Sequence, residues 1–152
     1  MKKITAILLA AVFALAFLAC SPKENGDKPA AFDAEATLNK LLADVKYAAP
    51  LQDVSQYADF LFSDLPEGTS IRHFSAGGKY ADAVLLFTLP DETGVPAVKE
   101  AVSLYLDSLK LEAERYEPAE ASKLQNAVIY DNGAYLFVVI TADTQTAEKI
   151  LG

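Results

Sequence analysis

Two stretches decide most of what this chain can become. Residues 83–89 (AVLLFTL) and 134–140 (AYLFVVI) are apolar at almost every position. Successive side chains in an extended strand point to opposite faces, so strands here are apolar on both sides. In the second run Tyr135, Phe137 and Val139 alternate with Leu136, Val138 and Ile140. A sheet built on them needs cover on both faces, from its own helices or from a partner on one side. Large exposed apolar patches are uncommon on monomers, which favours helices as the cover, here the N-terminal ones.

Each run reads as the second arm of a hairpin. Strands are predicted near 70–76 and 80–89, joined by Ala76-Gly77-Gly78-Lys79, where glycine tolerates the positive φ of a tight turn. Leu89-Pro90 ends the second. In AVIYDNGAYLFVVIT, Asp131-Asn132-Gly133 carries the Asn-Gly signal of a type I′ turn. Between the hairpins, Val98, Val102, Tyr105, Leu109, Ala113 and Tyr116 advance by three or four and predict a helix over 94–116. Glu117-Pro118 closes it, and 119–125 adds a further helical turn. Ahead of the hairpins, Leu38, Leu41, Leu42 and Val45 predict a helix over 34–47, capped by Asp33 and stopped by Pro50. A short helix over 54–65 follows, with Tyr57, Leu61 and the Phe60/Phe62 pair as candidates for burial; Pro66-Glu67-Gly68 breaks it. Asp143–Leu151 closes the chain with a helix. The expected fold is α+β: a four-stranded, mainly antiparallel sheet from two hairpins, helices packed on it, in the order α(α)ββαββα.

The first residues belong to a different kind of segment. Met1-Lys2-Lys3 is positive, and the 15 residues Ile4 to Leu18 are apolar except for Thr5. A spanning helix needs about 20 such residues. A charged start, a short apolar centre and small residues before a break are the layout of a secretory signal peptide, here 1–19. The single cysteine, Cys20, follows at once. Phe17-Leu18-Ala19-Cys20 resembles the bacterial lipobox, with Phe17 in the place usually held by leucine, and this resemblance implies lipidation of Cys20. Two or more acyl chains anchor stably where one is marginal. One cysteine forms no internal disulfide, and once lipidated it leaves no free thiol. Residues 20–32 then read as the lipidated cysteine and a flexible tether, rich in Pro, Gly and charge and spanning roughly 15–20 Å. Residues 33–152 read as a single domain. The expected location is the outer face of the cytoplasmic membrane, reached through lipid on Cys20.

Charge narrows the partners. The 152 residues carry a net charge of −8, and removing Lys2 and Lys3 with the signal leaves 11 basic against 21 acidic residues, or −10. Nucleic acid is excluded, since it requires basic patches. Anionic headgroups repel such a domain, so the anchor holds it at the membrane.

No reaction centre is legible. His73 is the only histidine, and Ser75 lies two residues on, on the same face of a strand. That proximity does not supply the geometry of a Ser-His-Asp device, and His73 reads as an outward residue beside an inward Phe74. No His/Cys metal ligand set exists. Asp91-Glu92 and the series Glu112, Glu114, Glu117 and Glu120 are the carboxylates open to Ca²⁺, but they lack EF-hand spacing and read as a solvated helix face. Gly77-Gly78 lacks the Gly-Lys-Ser/Thr of a phosphate loop. No cofactor is expected. The leading expectation is a non-enzymatic domain binding an envelope protein, peptide or wall component. The alternative is a carboxylate-dependent hydrolase acting on envelope glycans.

From about Asp53 to Leu151 the order of features resembles DUF4358, small lipoproteins of unknown function found mainly in Firmicutes. Ala81-Asp82 opens the apolar strand, and Val98-Lys99-Glu100-Ala101 sits early in the long helix. Tyr116-Glu117-Pro118 closes that helix, Leu124-Gln125-Asn126-Ala127-Val128-Ile129 enters the second hairpin, and Asn132-Gly133-Ala134-Tyr135 turns it. The family often has Arg mid-helix and Gln a few residues later; here Tyr105 and Leu109 stand at about those places. The resemblance implies an exported, membrane-tethered domain and brings no catalytic residues.

Overall fold

In the computed structural model, which describes residues 32–152, the two apolar runs lie side by side at the centre of a sheet. The signal segment 1–19, Cys20 and the tether as far as residue 31 lie outside the described residues. Strand β3 (Ala83–Thr88) pairs antiparallel with β5 (Tyr135–Ile140), from Ala83 opposite Ile140 to Thr88 opposite Tyr135. The hairpin partners β2 (Ser70–Ser75) and β4 (Val128–Asn132) flank them.

The sheet has five strands rather than the expected four, in the order β1-β2-β3-β5-β4, all antiparallel. The additional strand β1 is Gln52–Asp53, lying along the outer edge of β2 opposite Ser75 and Phe74. Two residues carry no side-chain period, so only the backbone pairing reveals it.

Both faces are covered. On one, Leu85, Phe87, Leu136, Val138 and Ile140 pack against Val98 and Val102 of α3 (Val95–Tyr116) and Leu124 of α4 (Pro118–Gln125). On the other, Val84, Leu86, Phe137 and Val139 meet Leu38 and Leu41 of α1 (Ala34–Asp44) and Ala147 and Leu151 of the last helix, Thr144–Leu151. The N-terminal helix therefore supplies only half of this second cover, and the C-terminal helix supplies the rest. Each fully buried Val, Leu or Phe contributes about 1.5–3 kcal/mol, so these two clusters dominate the stability. Phe32 joins the second cluster, its ring edge-on to Phe137 at 6.0 Å between centroids.

Local chemistry sets the helix ends. Asp33 Oδ1 accepts from Ala36 N at 2.9 Å and caps α1. The helix ends at Asp44, before the expected 47, because the backbone of Lys46 is engaged elsewhere. Lys46 N donates to Asp143 Oδ2 (3.2 Å), and its carbonyl accepts from Thr141 Oγ1 (2.7 Å). Glu117 breaks the long helix at φ −141°, ψ 67°. The residue before a proline is driven from helical geometry, and α4 restarts at Pro118 as a helix of its own.

The expected helix over 54–65 is shorter: a 3₁₀ turn at Ser55–Tyr57 and α2 at Ala58–Leu61. Asp53 Oδ1 accepts from Ser55 N and fixes its start. Of the four apolar candidates only Phe62 is buried, at 6% exposed, while Phe60 is 86% exposed and Tyr57 and Leu61 also face solvent. A single turn presents too few residues to aim four large side chains at one core. Phe62 stands edge-on to Phe87 (5.1 Å) and beside Tyr105 (4.9 Å). In the second hairpin Asn132 pairs with Tyr135, so the loop is Gly133-Ala134, one residue beyond the expected Asn-Gly centre. Gly133 takes φ +58° as its first residue.

Candidate functional site

Asp82, which opens the apolar strand, is 1% exposed. A buried carboxylate needs a partner, since desolvating a lone charge costs several kcal/mol. Lys123 provides it, with Nζ 2.7 Å from Asp82 Oδ2 and 2.8 Å from Glu120 Oε2. The i,i+3 spacing on α4 sets Glu120 and Lys123 side by side. Glu120 Oε2 also accepts from Ala81 N at 2.8 Å. Burial works to lower the Lys123 pKa, but the bonds and charges of Asp82 and Glu120 outweigh it, and the ammonium is held above its usual range. For Glu120, burial pushes upward, yet Lys123, the Ala81 N–H and the Lys79 charge together draw its carboxyl below its usual range. Glu120 and Lys123 thus stay ionised, and the triad fastens the 76–82 loop to α4.

That loop is longer than a tight turn, because β3 begins at Ala83 rather than 80. Gly77 and Gly78 take φ +66° and +63°, which L side chains rarely adopt. Ser75 Oγ accepts from Gly77 N (3.2 Å), and Ala76 N donates to Asp82 O (3.0 Å). Tyr80 has two cations near its ring: Lys79 Nζ lies 5.3 Å and Lys123 Nζ 5.9 Å from the centroid.

Between this loop and the junction of α3 with α4 lies a cleft of about 510 Å³. Tyr80, Tyr105 and Tyr116 line it together with Glu112, Glu117 and Glu120. Tyr105 is half-buried, and burial pushes its phenol pKa up, so it stays neutral. Tyr116 ends α3 in an exposed position, although the stripe pointed it inward. Among the described residues Glu112 and Glu117 form no ion pair. A larger cavity, about 790 Å³, lies between α4, β4 and the C-terminal helix; its one lysine is Lys123, already engaged with Asp82 and Glu120. A third, of about 580 Å³, is bounded by Tyr47, Leu51 and Phe74.

The residues singled out from sequence divide. Glu112, Glu117 and Glu120 come together in the cleft, while Glu114 is exposed outside it. Asp91 caps the turn Glu92–Gly94 through Thr93 N. Among the described residues no group of three His, Cys, Asp or Glu converges as a metal site. Cys20 lies outside the described residues.

His73 is a correction. Expected outward, it is 4% exposed. It pairs with Leu85 and shares the α3-side face, while Phe74 takes the α1 side. With both faces covered, this strand has no outward side here. Neither His73 Nδ1 nor Nε2 has a hydrogen-bond partner, so no bond joins His73 to Ser75. Lys123 and Asp82, 41 positions apart, were not foreseen as a pair. The only sequence signal was an aspartate placed directly before a fully apolar strand.

These features define a three-layer α/β/α domain with one antiparallel sheet and a tyrosine- and glutamate-lined cleft at the α3–α4 corner. Residues 69–141, from β2 to just past β5, match the family model described as "Domain of unknown function (DUF4358)", the family that the order of sequence features resembles. No curated protein and no solved structure matches the chain. Tyr105 and Leu109, which stand where the resemblance places Arg and Gln, both line the cleft.

Proposed function

We propose that this chain is a membrane-tethered extracytoplasmic binding domain, non-enzymatic, that engages an envelope partner through the α3–α4 cleft. The observation that carries this reading is the cleft itself. It joins aromatic side chains to hydrogen-bond acceptors on a wall tied down by the Asp82–Lys123–Glu120 ion triad. Sites of this kind bind through aromatic surface at low entropic cost. The signal layout of 1–19 and the position of Cys20 support the tether.

The hydrolase alternative draws on the same glutamates. A glycoside hydrolase needs one carboxyl kept protonated as general acid. Glu120 is drawn the other way by Lys123 and Ala81 N, which supports binding over catalysis.

Photo-cross-linkers placed at Lys79, Tyr116 and Glu117 in cells test the reading, with Leu104 on the outer side of α3 as control. One recurrent protein adduct from the cleft positions and none from Leu104 is expected. Adducts distributed equally over all four positions, or absent from the cleft, would overturn it. The tether has its own test: Cys20→Ala should abolish acylation, and a variant that still incorporates labelled fatty acid would refute lipidation at this residue.

A further inference from the structure

We propose that the α3–α4 cleft recognises a protonated alkylamine, a lysyl side chain of a basic protein segment or a free polyamine. The inference rests on the cleft being the binding site proposed above.

Three observations converge. Tyr80, Tyr105 and Tyr116 all line one cavity of about 510 Å³. The face of a phenol ring attracts an ammonium within about 6 Å, and more strongly when water is excluded. The second is that the structure already seats one ammonium in the cleft, that of Lys79, while Lys123 lines the neighbouring cavity. Lys79 Nζ and Lys123 Nζ both lie within that distance of the Tyr80 ring, at 5.3 and 5.9 Å. Lys79 lines the cleft and makes no ion pair among the described residues. It is an own-chain cation seated where an incoming one would sit. The third is charge. Glu112 and Glu117 line the same cavity, free of ion pairs among the described residues, and supply acceptors for the amine hydrogens. Anionic ligands meet the opposite conditions, since Lys123 is neutralised by Asp82 and Glu120. Leu109 in the lining offers apolar contact for an alkyl stem.

Lys79 makes the proposal specific. Its ammonium occupies the Tyr80 face and repels an incoming cation, so Lys79→Ala should tighten binding.

The test is isothermal titration of the full chain in neutral detergent with a peptide of alternating lysine and glycine, and separately with spermidine. Binding of the basic peptide that weakens with added salt is expected. Glu112→Gln with Glu117→Gln should weaken it by about tenfold, Tyr116→Ala by about threefold to tenfold, and Lys79→Ala should strengthen it by about threefold. Circular dichroism establishes that each variant is folded. Equal affinity for spermidine assigns the free amine as ligand, and binding of the peptide alone assigns a protein segment. The proposal is overturned by no binding of either the peptide or spermidine at about 1 mM, by unchanged affinity in the double glutamine variant, or by equal affinity for a peptide of alternating glutamate and glycine. Cross-links at the cleft without amine binding would remove the ligand class and leave the binding domain standing; amine binding without any cellular partner would do the reverse.

Discussion

Replacing His73 with leucine removes two ring nitrogens that have no hydrogen-bond partner in a residue only 4% exposed. The two side chains are close in volume, so the exchange opens little cavity. An unsatisfied buried polar group costs about 1–3 kcal/mol, and replacing it by an apolar group of similar shape is neutral or stabilising. His73→Leu should therefore stabilise the protein by about 1 kcal/mol near neutral pH. The difference should widen in acid. Burial holds the His73 pKa below its ordinary 6.5, and the charge of Asp53 opposes this only in part. Between the lowered folded value and the ordinary one, the unfolded chain binds more protons. Stability is then complete above about pH 6.5 and falls as pH drops toward the folded pKa. The slope cannot exceed about 1.4 kcal/mol per pH unit, which limits the loss to about 2 kcal/mol by pH 5. The carboxylates held below their usual range, Asp53 through Ser55, Asp91 through Thr93, Asp143 through Thr146 and Glu120 through Lys123, lose their contribution only in stronger acid and do not mask the effect. Urea unfolding followed by circular dichroism over about pH 5 to 8 reads both chains. The wild type should lose stability through the lower part of that range, and His73→Leu should stay nearly flat. Parallel profiles, or a variant less stable at every pH, would refute the placement of His73 in the core.

Three further outcomes follow from the packing. Lys123→Met leaves Asp82 buried without its cation and should cost about 3 kcal/mol in urea unfolding; adding Asp82→Asn should recover most of that, since the uncompensated charge is then gone. Phe62→Ala should cost about 3 kcal/mol, while Phe60→Ala two residues earlier should stay within about 0.5 kcal/mol, and equal losses would contradict the short α2 turn. Gly94→Ala brings a Cβ 2.8 Å from Leu89 Cδ2 and 3.1 Å from Pro66 Cγ, and should lower the unfolding free energy by about 1–3 kcal/mol.

The sheet centre was legible because its residues leave no choice. Val84 to Phe87 and Leu136 to Ile140 are apolar on both faces, and such strands are stable only between two layers. The long helix was legible for a similar reason, since Val98 and Val102 sustain one stripe over several turns. What stayed hidden has a common cause. Gln52-Asp53 form a strand only through hydrogen bonds to β2, and nothing in two polar residues announces it. His73 defeated the rule of alternation, which assumes a wet face that this sheet lacks at that point. The cleft depends on Asp82 finding Lys123 across 41 positions. Glu112, Glu114 and Glu117 are the solvated face that their spacing implies, and only Glu120 is drawn in, by Lys123 and by a loop from another part of the chain. Lone polar residues beside apolar runs were the informative sites, and their partners were set by topology.

Helices from the two ends of the domain, Ala34–Asp44 and Thr144–Leu151, cover the same side of the sheet. A chain delivered N-terminus first, from a ribosome or through a narrow pore, could pair its first hairpin early. It would still expose Val84 and Leu86, and later Phe137 and Val139, until the helix Thr144–Leu151 had followed. Cover of this face is therefore late: a chain stalled before Thr144 would present a sticky half-built sheet to holdases and proteases, because Ala147 and Leu151 are buried against it.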